Sequence, residues 1–140
     1  MVQIIEMNKK SKLINISNFN QIFAKLRNNN KIIVHCHGVF DLLHIGHIKH
    51  FKEAKRLGDI LIVTLTADKY VNKGINRPYF NQQYRAEAIS SLEFVDYVSI
   101  VEDKSAVNAI ENIKPDFYCK GEDYRNFKED ITGKINKEKK

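Results

Sequence analysis

Two cysteines in 140 residues, Cys36 and Cys119, are too few for a disulfide framework or a four-ligand zinc site, and no CxxC pair occurs. Buried, reduced thiols on neighbouring strands are expected, and no chemistry is assigned to them. No stretch approaches the roughly 20 apolar residues of a membrane span. The opening MVQIIEMNKK has neither the apolar core nor the small-residue cleavage site of a signal peptide, so a cytoplasmic protein with no membrane partner is expected. Internal repeats are absent. What the chain does hold is 43% hydrophobic and 29% charged residues, enough for one three-layer domain and too short for two. Its formal charge of +6, from 23 Lys+Arg against 17 Asp+Glu, favours an anionic ligand. The basic residues Lys49, Lys52, Lys55 and Arg56 read as a solvated helix face. No RNA-binding motif or aromatic platform accompanies them, and no nucleic-acid partner is expected.

Periodicity divides the chain into an N-terminal extension over 1–30, a domain over 31–125 and a loosely structured tail over 126–140. Phe19, Ile22, Phe23 and Leu26 predict a short amphipathic helix capped by Ser17. KIIVHC at 31–36 is a buried strand, and 45–57 a helix with Ile45, Ile48 and Phe51 on its apolar face and Gly58 as its stop. A second strand over 59–67 precedes a long polar connection, 68–81, of the kind that often carries function. A helix over 82–92 through Tyr84, Ala88, Ile89 and Leu92, a strand over 95–101, a helix over 105–114 closed by Pro115 and a strand over 116–121 complete the order. Strands alternating with helices predict an α/β fold, a doubly wound, Rossmann-like parallel sheet with flanking helices.

In such sheets ligands bind beyond the carboxyl ends of the strands, and the first such end reads HGVFDLLHIGH. Gly38 lets a phosphate approach the backbone, and Asp41 can fix the turn. His44 and His47, three apart at a helix opening, share one face, where backbone N–H groups and the helix dipole also favour an anion. Gly46 leaves space for a flat group against the helix. Taken alone, the two histidines also suit an incomplete metal site. His37 adjoins the loop within reach of a phosphate, whereas His35 reads as a strand residue and His50 as a helix-surface one.

The run Gly38, Phe40, Asp41, His44, Gly46, His47 resembles the G-x-F-D-x-x-H-x-G-H signature of the cytidylyltransferase-like nucleotidyltransferases. The tetrapeptide HIGH also occurs in class I aminoacyl-tRNA synthetases, but their K-M-S-K-S loop is absent here. LGDILIV, the pair Arg77 and Arg85, LEFVDYV and KPDFYCKGEDY extend the likeness over about residues 31–124. They bring the chain nearest to heptose 1-phosphate adenylyltransferase domains and then to glycerol-3-phosphate cytidylyltransferases. The resemblance implies transfer of a nucleoside monophosphate from ATP or CTP to a sugar phosphate or polyol phosphate, with release of pyrophosphate and with Mg²⁺ as cofactor. It implies that His44, His47, Lys73 and Arg85 are catalytic, and that Gly38, Val39, Phe40, Asp41, Gly46, Lys120, Gly121 and Asp123 bind the nucleotide. A homodimer, and fusion to further domains, are also implied. Relatives continue into a last strand and a Ser/Thr-rich helix start, neither of which is legible here. A truncated domain, or a nucleotide-binding domain without turnover in a longer protein, is therefore the other expectation.

Overall fold

The computed structural model describes residues 11–120. After a 3-10 turn at Ile16–Asn18 the elements run α1 (Phe19–Asn28), β1 (Ile33–Gly38), α2 (Ile45–Lys55), β2 (Ile60–Thr66), α3 (Gln82–Ser90), β3 (Tyr97–Val101), α4 (Val107–Ile113) and β4 (Phe117–Lys120). All strand pairs are parallel, in the order β3-β2-β1-β4. The chain steps outward from β1 through β2 to β3, then returns to place β4 on the other side of β1. That reversal lies between β1 and β4, where an open parallel sheet forms its ligand crevice. Among the described residues no helix is long and apolar enough to cross a membrane.

Strand residues alternate between two cores because successive side chains point to opposite faces. Val34, Cys36, Leu61, Val63, Leu65, Val98 and Cys119 meet Phe51 and Ala54 of α2 and Ala86 and Ile89 of α3. On the other face Ile33, Ile62 and Val101 meet Phe19 and Phe23 of α1 and Ala109 and Ile113 of α4. Residues 12–14 join the sheet edge through backbone hydrogen bonds with Val98, so the segment ahead of β1 packs on the same sheet.

Several boundaries differ from the periodicity. Ser17 lies inside the 3-10 turn, and the N-cap position of α1 falls on Asn18, without a side-chain cap. β1 runs two residues past Cys36 because His37 and Gly38 still pair with Thr64 and Leu65 of β2. Ile45 of α2 is exposed. On α3 the buried face is Arg85, Ala86 and Ile89, while Tyr84 and Ala88 face solvent. Burying an arginine shifts the face that apolar residues alone would define.

The lower edge of the sheet repeats one device three times. Asp59, Asp96 and Asp116, each just ahead of a strand, donate their own N–H to the carbonyls of Ile32, Leu61 and Ile33 respectively. The carboxylate of each accepts the N–H of that same residue at 2.8 Å. Asp96 also accepts from Lys55 at 2.7 Å, tying α2 to the β2–β3 edge. Asp96→Ala is expected to lower stability by about 1–3 kcal/mol, the range for leaving buried partners unsatisfied, read as a lower urea midpoint at unchanged m-value.

Candidate active site

The loop leaving β1 turns sharply because Phe40 adopts a left-handed backbone, φ 56°, which folds its ring back over the strand end. A Cβ on Gly38 would stand 2.8 Å from that ring. Glycine is needed there first for Phe40, although Gly38 also lines a cavity of about 460 Å³. The cavity is bounded by Gly38, Val39, Phe40, Asp41, Leu42, His44, His47, Lys73, Arg77 and Tyr79. Residues 38–42, His44 and His47 of the sequence motif, but not Gly46, thus come together with Lys73 of the long connection at the mouth of β1.

His44 and His47 form a reciprocal cap on α2. The Nδ1 of His44 accepts the Gly46 N–H at 3.0 Å, and the Nδ1 of His47 accepts the His44 N–H at 3.2 Å. The rings lie 3.9 Å apart between centroids and tilt by 32°. With each Nδ1 accepting, a neutral ring carries its proton on Nε2, so the pair presents two N–H donors from rings that line the cavity. The space beside Gly46 is filled by His44 itself, since a Cβ there would stand 2.7 Å from the His44 ring. The flat group expected against the helix is this imidazole.

His47 is held at a pKa of about 4, chiefly by burial, then by the neighbouring His44, His50 and Lys73. A second proton would also set N–H against the His44 N–H that Nδ1 accepts. His47 is therefore neutral at physiological pH; Lys73 and Arg77 bring positive charge to the cavity wall, that of Arg77 set against the Asp41 carboxylate.

Asp41 does more than close a turn. Its side chain is buried and accepts the N–H groups of Tyr79 at 2.6 Å and Phe80 at 3.1 Å, and the Arg77 Nε at 3.1 Å. Arg77 also donates to the Asp41 carbonyl. Burial pushes the Asp41 carboxyl upward, but the Tyr79, Phe80 and Arg77 hydrogen bonds outweigh it and hold the group below its usual range. The Arg77 guanidinium, stacked 4.4 Å over the Tyr79 ring, is a cavity residue that the sequence motif does not assign. Its only signal is the Arg77–Pro78 pair in the long loop. Among the described residues Asp41 is the one carboxylate lining the cavity, and its oxygens are already engaged. A magnesium ion implied by the resemblance would therefore be held by the oxygens of a bound triphosphate and by water.

Arg85 is placed differently from the expectation of a phosphate clamp. Its guanidinium is buried and donates to the carbonyls of Phe80, Val39 and Thr66, each at 2.9 Å, and to the Asp68 carboxylate at 2.7 Å. It borders a separate apolar hollow with Phe40, Leu42, Leu43, Phe80, Tyr84 and Ala88. Arg85 therefore positions the loops and does not line the histidine cavity. His37 also turns elsewhere: its ring nitrogens meet Thr64 at 2.7 Å and Thr66 at 3.4 Å on β2. His50 is buried, not on the helix surface. Lys120 closes β4 in register with His37, while Gly121 and Asp123 lie outside the described residues.

The sequence profile described as cytidylyltransferase-like matches residues 35–139. The bifunctional protein HldE of Aliarcobacter butzleri is 42% identical over 90% of this chain and 26% of its own length. The protein of the same name from Helicobacter pylori is 42% identical over 84% of this chain and 26% of its own. The chain thus spans about a quarter of these curated relatives. A crystal structure of a lipopolysaccharide core biosynthesis protein from Thermoplasma volcanium superposes with a TM-score of 0.63 at 34% identity. That match covers 76% of this chain and 88% of the other.

Two outcomes follow from the geometry. Arg85→Lys, which cannot reach four acceptors, is expected to lower stability by about 1–3 kcal/mol, the range for leaving buried acceptors unsatisfied, measured by urea denaturation. Because His47 is held at about 4 against an ordinary 6.5, the unfolded chain binds a proton between those values that the folded chain does not. Stability should fall as pH drops from 6.5 to 4. Urea midpoints across that window should fall less in His47→Asn than in the unaltered chain.

Proposed function

The chain belongs to the cytidylyltransferase-like family, and from that premise we propose that it is a nucleotidyltransferase acting on a sugar phosphate. A phosphate oxygen of the acceptor attacks the α-phosphorus of a nucleoside triphosphate, the bond to the β-phosphate oxygen breaks, and pyrophosphate leaves. Such a displacement needs little beyond alignment and charge stabilisation. The observation that carries the reading is the stacked pair His44 and His47, each pinned through Nδ1 by a backbone N–H and each left with an Nε2–H donor. Two pre-oriented donors suit the non-bridging oxygens of a phosphoryl group that gains charge in the transition state. Lys73 and Arg77 border the same cavity and would neutralise the β- and γ-phosphates. The donor we favour is ATP and the acceptor a heptose 1-phosphate-like sugar. This choice rests on the likeness to heptose 1-phosphate adenylyltransferase domains in KPDFYCKGEDY.

Removing one such donor typically lowers the rate about 10²- to 10³-fold. His47→Ala and His44→Asn are expected to show that loss in pyrophosphate release with ATP and a sugar 1-phosphate. Asparagine still caps α2, so His44→Asn should keep its urea midpoint near that of the unaltered chain and separate catalysis from folding. Undiminished turnover in both variants would refute the roles given to the histidines. Nucleotide binding with no pyrophosphate from any pairing of ATP or CTP with sugar or polyol phosphates would identify a binding domain instead.

A further inference from the structure

On the α2 and α3 face of the sheet, away from the histidine cavity's lining, Cys36, Cys119 and His50 converge. The two cysteines are register partners on the adjacent parallel strands β1 and β4, with their sulfurs 2.8 Å apart. His50, on the second turn of α2, completes a group whose ligand atoms all lie within 4.8 Å of one another. Cys36 and Cys119 are 0% exposed and His50 is 1% exposed, and neither thiol is in a disulfide. Burial, and then the contact with Cys119, push the Cys36 thiol well up, so left to itself that sulfur is protonated and poorly reactive.

We infer that Cys36, Cys119 and His50 form a binding site for a thiophilic d¹⁰ cation. Two thiolates and an imidazole are the donor set that such cations select. Zn²⁺ is the member that balances charge. Entry of the ion displaces one proton from each thiol to solvent, and the dication with two thiolates and a neutral imidazole is neutral overall. A dry interior tolerates that far better than a net charge. Cu⁺ in the same place would leave one negative charge. Three protein ligands leave a trigonal ion or one completed by a water; with Zn–S bonds of about 2.3 Å either geometry sets the sulfurs about 3.8–4.0 Å apart, so the pair must open by at least about 1 Å. Closing to a disulfide would need a contraction to about 2.05 Å. His50 contributes a ligand to the first state and nothing to the second. A bound cation would join α2, whose first turn holds His44 and His47, to both strands that flank the crevice.

The test uses the reduced 140-residue chain, equilibrated anaerobically with Zn²⁺ in one arm and Cu⁺ in another, then freed of excess metal and counted by mass spectrometry of the elements. One equivalent per chain is expected, with two protons released per Zn²⁺ and a thiolate charge-transfer band when Co²⁺ replaces it. Cys36→Ala/Cys119→Ala, checked for fold by circular dichroism, should retain none. His50→Gln should weaken retention by at least about tenfold, as loss of a metal-site partner commonly does. Retention in the Cu⁺ arm alone would keep the site and change its ion. No retention of either ion by the unaltered chain overturns the proposal without recourse to any variant. So does its recovery lighter by two hydrogens, with both thiols consumed in a disulfide.

Discussion

Arg85 carries a full positive charge into the interior, where a charge without partners destabilises a fold by several kcal/mol. Its four acceptors come from three places: Val39 after β1, Thr66 and Asp68 at the end of β2, and Phe80 at the end of the long connection. These segments lie where regular structure ends or loops begin, and the guanidinium fixes where each meets the others. Asp41 repeats the logic with the opposite sign, drawing Arg77, Tyr79 and Phe80 toward the β1 loop. The cavity beside His44 and His47 is bounded by what these two buried charges hold in place.

The capping geometry of α2 explains why histidine serves at both positions. A serine or aspartate would satisfy the first-turn N–H groups equally well. An imidazole accepts the backbone hydrogen with one nitrogen and offers a donor with the other, on the far side of a rigid ring. Burial keeps His47 neutral, which preserves that division of labour through the physiological range.

The alternation of apolar strands and helices was legible because each buried run, such as ILIVTLT, has the length and composition of an interior strand. The HGVFDLLHIGH loop was legible because its residues are adjacent in sequence, and they meet in space for the same reason. What escaped notice depends on long-range partners. Arg85 reads as a catalytic arginine by resemblance until four acceptors from distant segments surround it. Arg77 carries part of the family likeness but no role in the sequence, until Asp41, 36 residues away, accepts from it. His50 reads as a helix-surface residue, and the packing of α2 against Cys36 and Cys119 of β1 and β4 is what encloses it. Periodicity finds faces, and a buried polar residue is a mismatch in that signal.

The aspartate clamps along the lower sheet edge bear on the order of assembly. Those at Asp59 and Asp96 close loops of 27 and 35 residues, whereas that at Asp116 closes one of 83. Loop-closure entropy makes the longest about 1 kcal/mol dearer than the shortest. The β1–β2–β3 half is thus the natural nucleus, and β4 docks onto a platform already built. The crevice between β1 and β4 comes into being only at that final docking, whereas every described residue that lines the histidine cavity, from Gly38 to Tyr79, belongs to the half already built.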